Sequence, residues 1–317
     1  MEKTQSKEKL LPRLCLGTVQ LGMKYGINNK EGKPSREKSF AILDLAYKRG
    51  IRIFDTANAY GDAEEILGEF ITTRNIKDKV EIISKLRPHV ISPENAGNAQ
   101  KILELIEAEI RKSLQRIRRD YLDGYLLHTP EYIYNDKIVA ALRACKAKGL
   151  VKNIGVSIYE EADALYAVNN AAVDYIQVPY SVFDQRLNKT GFFEAARKNK
   201  VKVFARSAFL QGLVFMEKER IPDYLEEAKQ YLETFDKIIK QHGLSRTEAS
   251  LLFSYNNPYI DSVVFGVDNT NQLNENIDIV QKELKFDECM KELTNRFTNI
   301  KKSIIFPSLW KSHPAEE

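Results

Sequence analysis

The sequence predicts a single (β/α)8 barrel. Eight short β-rich runs alternate with helix-competent stretches along the 317 residues, and no Pro/Gly/Ser-rich linker or low-complexity run divides them. Polar side chains recur at the C-terminal ends of successive apolar runs, which is where a barrel gathers its functional groups. Strands alternating with helices imply right-handed crossovers and a parallel sheet. Eight such units favour closure over the competing arrangement, an open doubly wound sheet.

The expected strands are Leu14–Val19, Ile51–Asp55, Val80–Lys85, Gly124–His128, Ile154–Ser157, Tyr175–Val178, Val201–Ala205 and Ser262–Gly266. The third helix carries Ile102, Leu105, Ile106, Ile110, Leu114 and Ile117 at i, i+3, i+4 spacing, and Ser92-Pro93-Glu94 is the expected N-terminal cap. Gly50 and Gly149 stand where glycines would close the first and fourth helices. The barrel is expected over about residues 12–283, with a C-terminal extension over 284–317 in the same domain. The extension's apolar run, Ile304 to Trp310, is expected to pack against the body.

Composition narrows the function. The net charge of +4 comes from 48 basic and 44 acidic residues that are interspersed, which argues against a nucleic-acid partner. The densest basic stretch, Arg111–Arg119, reads as a solvated helix face. Three widely spaced cysteines, Cys15, Cys145 and Cys289, form neither a disulfide framework nor a metal-ligand pattern. No metal is expected, and a reducing cytoplasm is the expected compartment. The N-terminus is polar, and no apolar run approaches the roughly 20 residues that span a bilayer, so no membrane partner is expected.

The polar strand ends carry the chemistry. Strand two ends in Asp55, three in Lys85, four in His128 and five in Ser157. Strand six carries Gln177, and strand seven runs into Arg206-Ser207. Singly, each has an ordinary explanation: a turn residue, an ion pair, a core histidine. Jointly they would point into one mouth. Asp55 opens the stretch Asp55-Thr56-Ala57-Asn58-Ala59-Tyr60-Gly61, and this DTAxxYG pattern resembles that of the aldo-keto reductases. Gly17-Thr18 after strand one, Lys85, Leu127-His128, Gly155-Val156-Ser157, Gln177 and Glu275-Asn276 extend the likeness over roughly residues 12–280. Gly17 to Gly22, with Tyr25-Gly26-Ile27, is similar to a bacterial branch associated with sugar metabolism.

The resemblance implies an NAD(P)H-dependent reduction of a small carbonyl compound, reversible to an alcohol, with a catalytic set of Asp55, Tyr60, Lys85 and His128. These residue types suit the chemistry. A phenol with a reference pKa of about 10 donates a proton poorly near neutrality, and an adjacent ammonium stabilises the phenolate. Asp55 would keep Lys85 charged, and His128 would orient the carbonyl.

There is no GxGxxG or Walker A sequence. A barrel can instead hold a dinucleotide with its seventh and eighth loops and a helix N-terminus. Gly266-Val267-Asp268-Asn269-Thr270 suits that role. The resemblance assigns Ser157 and Gln177 to the nicotinamide amide, Ser207 to the pyrophosphate, and Glu275 and Asn276 to the adenine; Gly17, Thr18, Arg206, Gly266, Asn269 and Gln272 complete the expected cofactor site. Three positions depart from the family pattern. Ile158 replaces an asparagine, Arg206 replaces an aromatic that stacks on the nicotinamide, and Gln272 replaces an arginine that meets the 2′-phosphate. NADP(H) is the family's usual cofactor, and Gln272 leaves NAD(H) open.

The expected pocket rim includes Val19, Met23, Tyr25, Leu86, Tyr180 and Trp310, and the short stretch Thr129–Asn135 implies an open site. Two other readings compete: a nicotinamide-binding redox sensor without turnover, and a Schiff-base enzyme using Lys85.

Overall fold

The computed structural model describes residues 10–310; the first nine residues of the polar N-terminus and the last seven of the C-terminal extension lie outside the described residues. Eight parallel strands form a closed barrel in sequence order: β1 Leu14–Gly17, β2 Ile53–Asp55, β3 Glu81–Leu86, β4 Gly124–Leu127, β5 Ile154–Ser157, β6 Tyr175–Pro179, β7 Lys202–Arg206 and β8 Ser262–Phe265. β8 closes on β1 with Cys15 opposite Val264. All eight expected strands are present, with ends shifted by up to two residues. Val19 leaves β1 because Val19–Gly22 coils into a one-turn helix.

The helices are α1 Arg36–Lys48, α2 Ala63–Thr73, α3 Ala99–Ile117, α4 Asp136–Ala147, α5 Glu161–Asn170, α6 Phe192–Lys198, α7 Ala228–Gln241, α8 Arg246–Tyr255, α9 Thr270–Gln281 and α10 Asp287–Arg296. Their apolar stripes pack on the outer faces of strands that are buried on both sides, the usual state of a parallel sheet. Inside the barrel, Cys15, Ile83, Leu126, Tyr175, Phe204 and Val264 fill a separate layer. The lumen is therefore a packed core, and any site must sit at its mouth.

Several local expectations hold. Gly50 and Gly149 follow α1 and α4 with φ of 97° and 76°. Most of the basic stretch is a paired helix face, with Arg111 meeting Glu107, Lys112 meeting Glu109 and Arg116 meeting the buried Glu64, but Arg119 lies beyond the helix end and is buried against Asp123 rather than solvated. The start of α3 differs from expectation. Ser92 closes a turn, its carbonyl accepting from Asn95 and Ala96, and the chain re-extends at Asn98. Asn98 then caps the helix through Lys101 N at 3.0 Å.

The C-terminal extension packs as expected. α10 lies against α7 and α8, Phe297 meets Phe183 and Phe235, and Ile304, Ile305, Phe306 and Trp310 are buried. No described helix is long and apolar enough to cross a membrane.

Candidate active site

Parallel register brings the polar strand ends to one mouth. Lys85 is fully buried, with its ammonium 2.6 and 2.8 Å from the two Asp55 oxygens and 3.0 Å from the Thr56 carbonyl. Gln177 of β6 reaches across the barrel and donates to Asp55 at 2.8 Å. Ser157, its register partner on β5, donates to Gln177 at 3.4 Å. A buried ion pair is tolerated only where its remaining hydrogen-bonding capacity is met, and these contacts meet it.

Tyr60 lies above this pair. Its hydroxyl is 3.5 Å from Lys85 Nζ, and the ammonium sits 5.0 Å from the ring centroid. The Tyr60 loop is seated by backbone contact with the Val19–Gly22 turn. A Cβ on Gly22 would fall 1.8 Å from the Tyr60 carbonyl, and Gly61 adopts φ 55° against Gly22. Only glycine fits both positions without displacing the loop. His128 packs edge-on to Tyr60 with centroids 5.8 Å apart. Its Nδ1 is buried and lacks a partner among the described residues. Burial, then the charges of Lys85 and Arg206, push His128 down to about 3. It is neutral at pH 7 and can offer a hydrogen bond rather than a charge.

A cavity of about 300 Å³ runs from Tyr60 and Asp55 past Thr18, Gln177 and the loop after β7 to the N-terminal turn of α9. Gly17, Arg206, Ser207, Gly266, Gln272, Glu275 and Asn276 also line it. Lys85, His128 and Ser157 stand outside this lining and contact its residues Asp55, Tyr60 and Gln177 respectively. Asn269 is the N-cap of α9, accepting from Gln272 N at 3.0 Å, and does not line the cavity.

A family model described as the aldo/keto reductase family matches residues 13–294. The chain belongs to this family. Its reaction class is therefore oxidoreduction at a carbonyl. Among similar proteins are the oxidoreductase YqkF of Bacillus subtilis (27% identical, covering 88% of this chain and 94% of the relative) and the D-threo-aldose 1-dehydrogenase of a Pseudomonas species (26% identical, 86% and 91%). The methylglyoxal reductase YeaE of Escherichia coli is 34% identical over 48% of each chain. The solved structure of PA4992 from Pseudomonas aeruginosa superposes with a TM-score of 0.62 at 21% identity, over 84% of this chain and 88% of that one, and shares the fold.

The aldo-keto reductase family uses nicotinamide cofactors, and the cavity has the unmet polar capacity that such a group would use. Gln20 Oε1 is buried there without a partner among the described residues, beside Gly266. The loop after β7 is held in strained backbone, with φ of 67° at Ser207, 43° at Leu210 and 52° at Gln211. Such outliers cluster where ligands are clamped. The loop after β1 straps onto it: Ile27 N donates to the Gln211 carbonyl at 3.0 Å, and Gln211 Nε2 donates to the Tyr25 hydroxyl at 2.9 Å. Tyr25 and Gln211 of this strap line the cavity, and Gln211, Asn28, Phe209 and Phe215, which also line it, were not assigned roles from sequence. No local pattern marks them, because the two loops meet only in the folded barrel.

The expected rim needs correction. Val19 and Tyr25 line the cavity; Met23, Leu86, Tyr180 and Trp310 do not. Leu86 belongs to the core, Tyr180 is buried between Phe193 and Phe253, and Trp310 is buried with its Nε1 donating to the Ile304 carbonyl.

The His128 environment makes a stability prediction. Its basicity is depressed in the fold, so the unfolded chain takes up the proton first. The contribution is present above about pH 6.5 and lost as pH falls toward about 3. Between about pH 7 and pH 4, wild type should lose more stability than His128→Gln, by on the order of 2–3 kcal/mol, in urea unfolding at each pH. Equal losses would show that His128 is not held neutral.

Proposed function

We propose that this aldo-keto reductase reduces an aldehyde or ketone, including sugar carbonyls, with Tyr60 as the proton donor. The observation that carries the reading is the fully buried Lys85–Asp55 pair beneath the Tyr60 hydroxyl, at the inner end of the cavity. The bound reduced nicotinamide supplies hydride. Tyr60 gives its proton to the carbonyl oxygen, and the Lys85 ammonium stabilises the phenolate left behind. Asp55 fixes that ammonium in place. Neutral His128 donates a hydrogen bond that holds the carbonyl oxygen within reach of Tyr60. Gln177, with Ser157 hydrogen-bonded behind it, would hold the nicotinamide amide, Ser207 the pyrophosphate, and Glu275 and Asn276 the adenine. Gly17, Thr18 and Gly266 would form part of the cofactor's cavity wall, and Asn269 and Gln272 organise the α9 turn. Three buried free thiols suit a reducing compartment.

The adenosine end of the cavity favours NAD(H) over NADP(H). Asp268 and Glu275 line it, and Arg206, the one basic residue among the lining side chains, is at the catalytic end. The Gln272 amide is committed to the Asp268 backbone, whose N–H donates to it at 2.7 Å. A carboxylate accepts a ribose 2′-hydroxyl and repels a 2′-phosphate. NADH should bind at least about tenfold tighter than NADPH, a gap of about 1.4 kcal/mol, and Asp268→Asn should narrow it. Tighter NADPH binding by wild type would reverse this assignment.

The reaction is tested with a panel of aldehydes, ketones and aldoses and each reduced cofactor. Carbonyl-dependent loss of reduced-cofactor absorbance is expected. Tight cofactor binding with no turnover on any carbonyl would favour a redox sensor, and borohydride trapping of substrate on Lys85 would favour Schiff-base chemistry.

A further inference from the structure

Arg206 ends β7 at the catalytic end of the cavity, and its charge has no counter-ion. Its Nη2 donates to the Ile158 carbonyl at 2.9 Å and its Nη1 to Ser207 Oγ at 3.2 Å. The Tyr159 ring stacks on the guanidinium at 4.2 Å. These three contacts fix the group, and all are neutral. No carboxylate among the described residues lies within ion-pair distance of Arg206. Asp184 is taken by Arg186 at 2.8 Å, and Asp55 by Lys85. A guanidinium cannot shed its proton to relieve this.

The position of this cation matters. Ile158, which holds it, follows Ser157 directly, and Ser157 is hydrogen-bonded to Gln177. Arg206 itself lines the cavity together with Gln177. A nicotinamide held at Gln177 would therefore share the cavity with a fixed positive charge that has no ion-pair partner among the described residues. The nicotinamide ring is neutral when reduced and carries a positive charge when oxidised. Like charges in a partly desolvated site repel, and side-chain motion cannot relax an arginine held by three contacts.

We propose that Arg206 is a specificity-determining residue that makes this site hold the reduced nicotinamide cofactor in preference to the oxidised one. The preference speeds release of spent cofactor and biases the enzyme toward carbonyl reduction. The assignment rests on the nicotinamide reading of the preceding section. It does not require turnover.

The test measures dissociation constants for NADH and NAD+, and for the NADP(H) pair, on wild type, Arg206→Gln, Arg206→Tyr and Arg206→Lys. In wild type the reduced form should bind tighter. In the Gln and Tyr variants the ratio of oxidised to reduced dissociation constants should fall about tenfold, and the Lys variant should retain most of it. A role limited to packing would weaken both forms equally. A ratio that changes less than threefold while both forms still bind overturns the proposal. If Arg206→Gln does not fold, Arg206→Tyr supplies the neutral comparison. The reduction potential of the couple bound to wild type gives a check that needs no variant. A tenfold preference for the reduced form raises the potential by about 30 mV, and an unchanged or lowered potential overturns the proposal. If neither form binds wild type, it is the nicotinamide reading that fails.

Discussion

Tyr60→Phe should lower kcat for carbonyl reduction by about a thousandfold while leaving cofactor dissociation constants within about threefold of wild type. The substitution removes one hydroxyl and keeps the ring that packs edge-on to His128. The loop is anchored by backbone, through Gly22 and Gly61, so it should not move. What is lost is the proton source that Lys85 faces at 3.5 Å. General acid catalysis contributes about 10²–10⁴ in rate, and no other described group at this mouth replaces it. His128 is held neutral by burial and by Lys85, so it is a poor substitute donor. A variant with near wild-type kcat would show that the proton comes from elsewhere. A parallel loss of cofactor binding would mean that the loop had shifted.

The second large effect concerns the buried pair. Lys85→Met should lower stability by about 3–5 kcal/mol, because it strands the Asp55 carboxylate with Gln177 as its remaining side-chain donor. Asp55→Asn should cost a similar amount by leaving a fully buried ammonium without its counter-charge. The double variant removes both charges and should recover most of that stability, since the two sites are in direct contact and their effects are not additive. Its kcat should stay as low as that of Lys85→Met. Denaturant unfolding and steady-state kinetics on the three proteins check this. Recovery of activity along with stability in the double variant would make the pair a structural device and not a catalytic one.

Much of this site was legible in the sequence, for a physical reason. Strands of a parallel barrel are buried on both faces, so they appear as short apolar runs, and their register delivers each run's last polar residue to a common rim. Asp55, Lys85, His128, Ser157 and Gln177 were readable because each ends or interrupts such a run. The DTAxxYG stretch added Tyr60, which no periodicity could single out. What escaped depends on contacts between distant loops. The strap from Tyr25 and Ile27 to Gln211 joins the loops after β1 and β7, and neither segment signals the other. Tyr180 and Trp310, expected at the rim, are instead buried in apolar niches. Gly22 was quoted within the opening motif, but the clash that requires it is visible only against Tyr60. Asp268 was legible only as part of the Gly266–Thr270 segment; its place in the cavity wall with Glu275 depends on the fold.

The central claim is that hydride passes from a nicotinamide to a carbonyl carbon at this mouth. It is tested most directly by reducing an accepted carbonyl with cofactor carrying deuterium in both positions of its transferring carbon, in ordinary water. The predicted product carries one deuterium on the new carbinol carbon. Product formed without deuterium on carbon would contradict the claim.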